Sequence, residues 1–89
     1  MHSQRKAGSN AVEDRTLEEA VFLHVVEAQP ATLRMSDLLR EMGSEDFARR
    51  DGIERAVRQL IQFGLLFRCE SAVLPTRAAL HAHDVLLGA

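Results

Sequence analysis

The chain has 89 residues, 46% of them hydrophobic and 27% charged, with a formal net charge of −2. One domain is the ceiling at this length, and an aromatic content of 4%, with no Trp and no Tyr, leaves little platform for stacking single-stranded bases or sugars. A strongly basic chain would declare nucleic acid and this one does not; its single cysteine, Cys69, makes neither an intramolecular disulfide nor a zinc site by itself.

Residues 1–14 are polar and without periodicity and read as a disordered tail. That leaves 15–89 as one domain. Thr16 to Glu19 is a capping box in which the Thr16 hydroxyl accepts from the Glu19 amide, so the first helix is predicted to start at Thr16. Leu17, Ala20, Val21, His24, Val25 and Ala28 recur at helical spacing behind it, and Phe22 and Val26 widen the apolar face. Gln29–Pro30 ends this helix, because a residue before proline avoids the helical region. The run Ala20 to Leu23 is too short for a membrane span or a signal segment, which points to the cytosol.

Ala31 to Met35 reads as a short extended piece. Ser36 is placed to cap a second helix with Asp37 in its first turn. Met35, Leu38, Leu39 and Met42 form its apolar face, and Gly43 fits a left-handed C′ position. Ser44 to Asp51 reads as a loop, with room for one helical turn, in which Phe47 plugs the core. Asp51 is predicted to cap the third helix, with Ile53, Ala56, Val57, Leu60 and Ile61 on one stripe and Glu54, Arg55, Arg58, Gln59 and Gln62 opposite. Gly64 stops it. Leu65 to Cys69 and Ala72 to Leu74 are β-prone runs around Glu70–Ser71, a small hairpin that Pro75 closes. Thr76 caps a last helix from Arg77 to about Leu87, with Ala79, Leu80, His83, Leu86 and Leu87 toward the core.

The order is therefore helix, short strand, helix, helix, hairpin, helix: mainly α with a small β-hairpin, an α+β class. The segment IERAVRQLIQFGLLFR (53–68), followed by VLPT (73–76), resembles the third helix and wing of bacterial winged helix-turn-helix domains. The resemblance covers residues 16 to about 87. A helix that turns into a strand without a loop needs a residue tolerant of positive φ, and Gly64 supplies it.

The resemblance implies that helix 3 is a recognition helix lying in the major groove of double-stranded DNA and that the wing meets neighbouring backbone. It implies a small cytoplasmic transcriptional regulator, acting as a homodimer through helix 1 or the C-terminal helix. Carried onto this chain, the DNA-contacting residues are Arg49, Arg50, Arg55, Arg58 and Gln59 at helix 3, Arg68 and Arg77 beside the wing, and Ser36 at the start of helix 2. The charge distribution leans the same way. Residues 49–89 hold six Arg and four acids, net +2, whereas residues 1–30 and 31–48 each carry −2.

The blander reading is a solvated helix face with Asp51–Arg55 and Glu54–Arg58 paired at i,i+4. Asp51 and Glu54 would repel phosphate, although an acid accepts from cytosine. Near-neutral charge and surplus apolar residues also fit a winged helix that binds a protein partner without DNA. His81 and His83, two apart on a helix, point to nearly opposite sides and cannot easily share a metal. His24 reads as a core-edge histidine bonded to backbone, and Cys69 as a small hydrophobe in the wing strand. No catalytic spacing, phosphate-cradling loop or cofactor motif is present in the sequence, so the chain does not read as an enzyme.

Overall fold

A computed structural model describes residues 2–43 and 46–86, with side chains from residue 13 onward. Its elements are helix α1 (His2–Ala28), strand β1 (Leu33–Arg34), helix α2 (Met35–Leu38) continued by a π-helical turn (Leu39–Gly43), helix α3 (Phe47–Gln62), strands β2 (Leu66–Cys69) and β3 (Ala72–Pro75), and helix α4 (Arg77–Leu86). The chain is mainly helical, with a small antiparallel sheet. The core gathers Val21 and Val25 of α1, Leu33 of β1, Leu38 and Leu39, Ile53, Ala56, Val57 and Leu60 of α3, and Leu66 and Val73 of the hairpin. Each Leu, Ile or Val fully removed from water contributes about 1.5–3 kcal/mol, and α1 and α3 face one another across this core with Val21 and Val25 on one side and Ile53, Val57 and Leu60 on the other.

The third helix starts one turn earlier than its pattern predicts. Asp46, not Asp51, is the N-cap, its Oδ1 accepting from the Ala48 amide at 3.0 Å. A helix begun at Asp46 puts Phe47 four residues before Asp51, on the solvent side, and Phe47 is 86% exposed. It does not plug the core. The other end is as the sequence predicts. Gly64 takes φ +80°, its amide donates to the Ile61 carbonyl at 3.0 Å, and the Leu65 amide donates to Leu60 at 2.9 Å. These two bonds satisfy late carbonyls of the helix and return the chain directly into β2.

The hairpin forms with Cys69 opposite Ala72 and Leu66 opposite Pro75. Glu70, first of the two turn residues, sits at φ 58°. The short extended piece after α1 does more than connect. Leu33 pairs with Val73 and Arg34 with Ala72, so β1 adds to the hairpin and the sheet has three strands in the order β1-β3-β2.

Four further expectations differ from the structure. First, α1 begins at His2 rather than Thr16, so the segment read as a tail continues the helix. No proline interrupts residues 2–15, and lengthening an existing helix avoids the cost of nucleation. Second, Ser36 does not cap α2. Arg34 occupies the N-cap, and its amide donates to Asp37 Oδ2 at 3.1 Å. Third, Gly43 is not left-handed. It lies buried in the π-helical turn, where a Cβ would sit 2.8 Å from Arg50 Cγ and 3.2 Å from Ile53 Cδ1; close approach, not φ, selects glycine there. Fourth, Leu86 is 81% exposed. Ala79 and half-buried Leu80 and His83 make the inner side of α4, and Leu87 lies outside the described residues.

Candidate functional site

Helix α3 shows two different columns of charge to solvent. One starts at Phe47 and runs through Asp51 and Arg55. Here the guanidinium is already paired: Arg55 Nη2 lies 2.8 Å from Asp51 Oδ2, and Nη1 lies 3.8 Å from Asp14 Oδ1 of α1. Arg55 and Gln59 line a depression with Asp14 and Glu18, so these two site candidates face an acidic stretch of α1. Arg49 faces the same way, beside Glu13, Asp14 and Asp46, and its Nε donates to the Met42 carbonyl at 3.2 Å.

The second column is Arg50, Glu54 and Arg58, four residues apart. Arg50 packs its Cγ beside Gly43. Glu54 and Arg58 line a shallow depression floored by Met35, Val57 and Ile61, and Arg68 of β2 closes its far side. The Glu54–Arg58 pair that the spacing allows does not form, nor does an Arg50–Glu54 pair; among the described residues the side chains of Arg50, Glu54, Arg58 and Arg68 make no hydrogen bond or ion pair. The structure thus separates the sequence candidates. Arg58 and Arg68 come together across the α3–β2 junction, with Arg50 on the same column. Arg55, Gln59 and Arg49 lie toward α1.

Arg77 is exposed at the first position of α4 and Ser36 is exposed in the first turn of α2, so neither joins either column. Asp37 replaces Ser36 as the polar group organising that turn. Its carboxyl is held below the ordinary aspartate range, chiefly by the Arg34 amide and further by the Arg40 guanidinium 2.9 Å away, while partial desolvation opposes the shift.

His24 and His83 take structural places, whereas His81 and Cys69 are exposed, so Cys69 does not serve as the small packed hydrophobe its strand suggested. His24 bonds to a side chain and not to backbone: its Nε2 lies 2.6 Å from Glu41 Oε1, tying α1 to the π-helical turn. His83 meets Phe22 edge-on with ring centroids 6.4 Å apart, and its Nε2 is buried without a partner among the described residues. Cys69 is exposed on β2. Among the described residues no cluster of three or more His, Cys, Asp or Glu is placed to hold a metal ion, and none of their helices is long and apolar enough to cross a membrane.

Hydrophobic groups also reach the surface near the α3–β2 junction. Phe63 is 63% exposed and Phe67 is 44% exposed. Phe67 shares the outer sheet face with its cross-strand partner Leu74. Composition alone did not single these out, because in the sequence an apolar residue at a helix end or in a short strand reads as core. Comparison of the chain with protein families, with curated proteins and with solved structures gives no match.

Proposed function

We propose that the chain is a winged-helix protein that binds double-stranded DNA through α3 and the β2–β3 wing, as a small transcriptional regulator. The element order and the β1-β3-β2 sheet support the fold reading. The observation that carries the function is the group Arg50, Arg58 and Arg68, exposed and without an acid partner among the described residues. A free guanidinium donates bidentately to phosphate or to guanine, whereas one already paired, as in Arg55, must first give up that pair. Arg77, exposed at the start of α4, would meet backbone phosphate, whereas Arg49 faces the acidic stretch of α1. A homodimer would supply a second half-site; exposed Ala78, Ala82, Val85 and Leu86 along α4 provide it with a surface.

The test is titration of the protein into a fluorescent random-sequence duplex at two salt concentrations. The expected result is affinity that falls steeply with salt, and a slope that flattens by about one for each phosphate-contacting Arg removed. The double change Arg58→Ala with Arg68→Ala weakens binding more than Arg55→Ala. A folded protein that retains no duplex at low salt overturns the proposal.

A second reading rests on Phe63 and Phe67. Two exposed phenylalanines beside the junction fit a protein partner better than a phosphate backbone. On that reading Phe63→Ser with Phe67→Ser abolishes partner binding and leaves duplex titrations flat throughout.

A further inference from the structure

Glu54 is out of place on a surface read as meeting DNA, and that anomaly is informative. A carboxylate facing phosphate is repelled, and the cheapest remedy is an ion pair one turn away. Asp51 takes that remedy with Arg55 at 2.8 Å. Glu54 has two such neighbours, Arg50 and Arg58, and pairs with neither. It instead lines the depression that Arg58 and Arg68 share, half-buried over Met35, Val57 and Ile61. An ionised carboxylate only accepts hydrogen bonds. Unpaired among the described residues, beside Arg58 and Arg68 in the same depression, it is available to a donor from outside.

We infer that Glu54 is a specificity residue that reads cytosine, with Arg58 reading guanine one helical turn further on. This rests on the DNA-binding reading of α3. In the major groove the exocyclic donors are cytosine N4 and adenine N6. Beside the adenine donor lies N7, an acceptor, which repels the second carboxylate oxygen; beside cytosine N4 lies only a C–H. Cytosine is therefore the base an unpaired Glu54 selects. From Arg50 to Arg58 the column rises about 12 Å, the length of three to four base pairs at about 3.4 Å each. The alternation of cation, anion and cation along it matches a half-site rich in G·C pairs, with Glu54 over a cytosine at its centre. Arg68 reaches the backbone beside it and holds the register.

The test is selection of binders from a library of duplexes with a randomised central tract, followed by titration of the enriched site. The protein is used as wild type and with Glu54→Ala, Glu54→Gln and Arg58→Ala, each checked by thermal melting. Wild type is expected to enrich a G·C-rich half-site in which changing one cytosine to thymine weakens binding roughly five- to hundred-fold. Glu54→Ala levels the preference at that position alone, and Arg58→Ala levels a neighbouring guanine. An enriched site whose base preferences are the same with Glu54→Ala and Glu54→Gln as with wild type overturns the inference and leaves DNA binding standing. The inference fails in the same way if both changes tighten binding to every duplex equally, for Glu54 would then be a source of repulsion only. No retention of any duplex by wild type overturns the DNA reading and this inference with it.

Discussion

The Thr76 hydroxyl joins two elements that are twelve residues apart in their contacts: it donates to the Gly64 carbonyl at 2.8 Å and accepts from the Ala79 amide at 3.1 Å. One oxygen thus caps α4 and fastens its start to the end of α3. The Thr76 amide adds a bond to Leu65 at 3.0 Å. Replacing Thr76 by Val keeps the shape and loses both hydroxyl bonds, at a cost of about 1–3 kcal/mol. Thr76→Ser restores most of it. Urea unfolding of the two variants beside wild type measures the difference.

Glu70 holds a left-handed conformation in the hairpin turn, φ 58°, which costs an ordinary L-residue about 1–2 kcal/mol. A positive φ at the first of two loop residues is where glycine is preferred. Glu70→Gly relieves that strain but gives back about 0.4–1 kcal/mol through the freer unfolded chain. The net gain expected is about 0.5–1 kcal/mol, seen as a higher melting temperature. Glu70→Ala gives no such gain.

Phe47 is a sharp test of the helix start. As an exposed residue it tolerates Phe47→Ser within about 0.5 kcal/mol. As a core plug it would lose about 3–5 kcal/mol on truncation. Chemical denaturation distinguishes the two, with Ile53→Ala, which is fully buried, as the control that loses about 2–5 kcal/mol.

Asp37 makes the start of α2 sensitive to acid. Its native-state carboxyl is depressed from the ordinary value of 3.8, first by the Arg34 amide. A depressed carboxyl binds its proton more weakly when folded, so its contribution is complete above the unfolded value and is lost as pH falls through the lowered native one. Stability measured from pH 6 to pH 2 should therefore fall less steeply in Asp37→Asn than in wild type, over the window below about pH 4. Identical acid limbs would refute the role given to this carboxyl.

The parts of the fold readable in the sequence are those where one residue type settles one backbone problem. Gly64 had to turn left-handed for a helix to meet a strand, and Thr76 had to cap because Pro75 closes the strand before it. The start of α3 was ambiguous for a physical reason. Asp46 and Asp51 both carry a capping side chain, and residues 47–50, with no proline or glycine, allow the helix to start at either. Gly43 misled because a buried glycine after a helical stretch looks the same whether φ or a neighbouring side chain demands it. In the candidate site, the six arginines of residues 49–89 were visible, but their division was not. Arg55 takes its i,i+4 partner Asp51 while the equally spaced Glu54–Arg58 pair does not form, and the second contact of Arg55, to Asp14 of α1 at a separation of 41 positions, is one that no local spacing encodes.

The join between α3 and the hairpin has no slack. Leu65 is bonded back to Leu60, and Thr76 closes on Gly64 and Leu65 from the other side of the hairpin. The backbone that carries Arg58 and the backbone that carries Arg68 are therefore held to one another by two backbone bonds and the Thr76 hydroxyl. A change that lengthened this join would let the backbone under Arg58 and the backbone under Arg68 move apart, which the present bonds prevent.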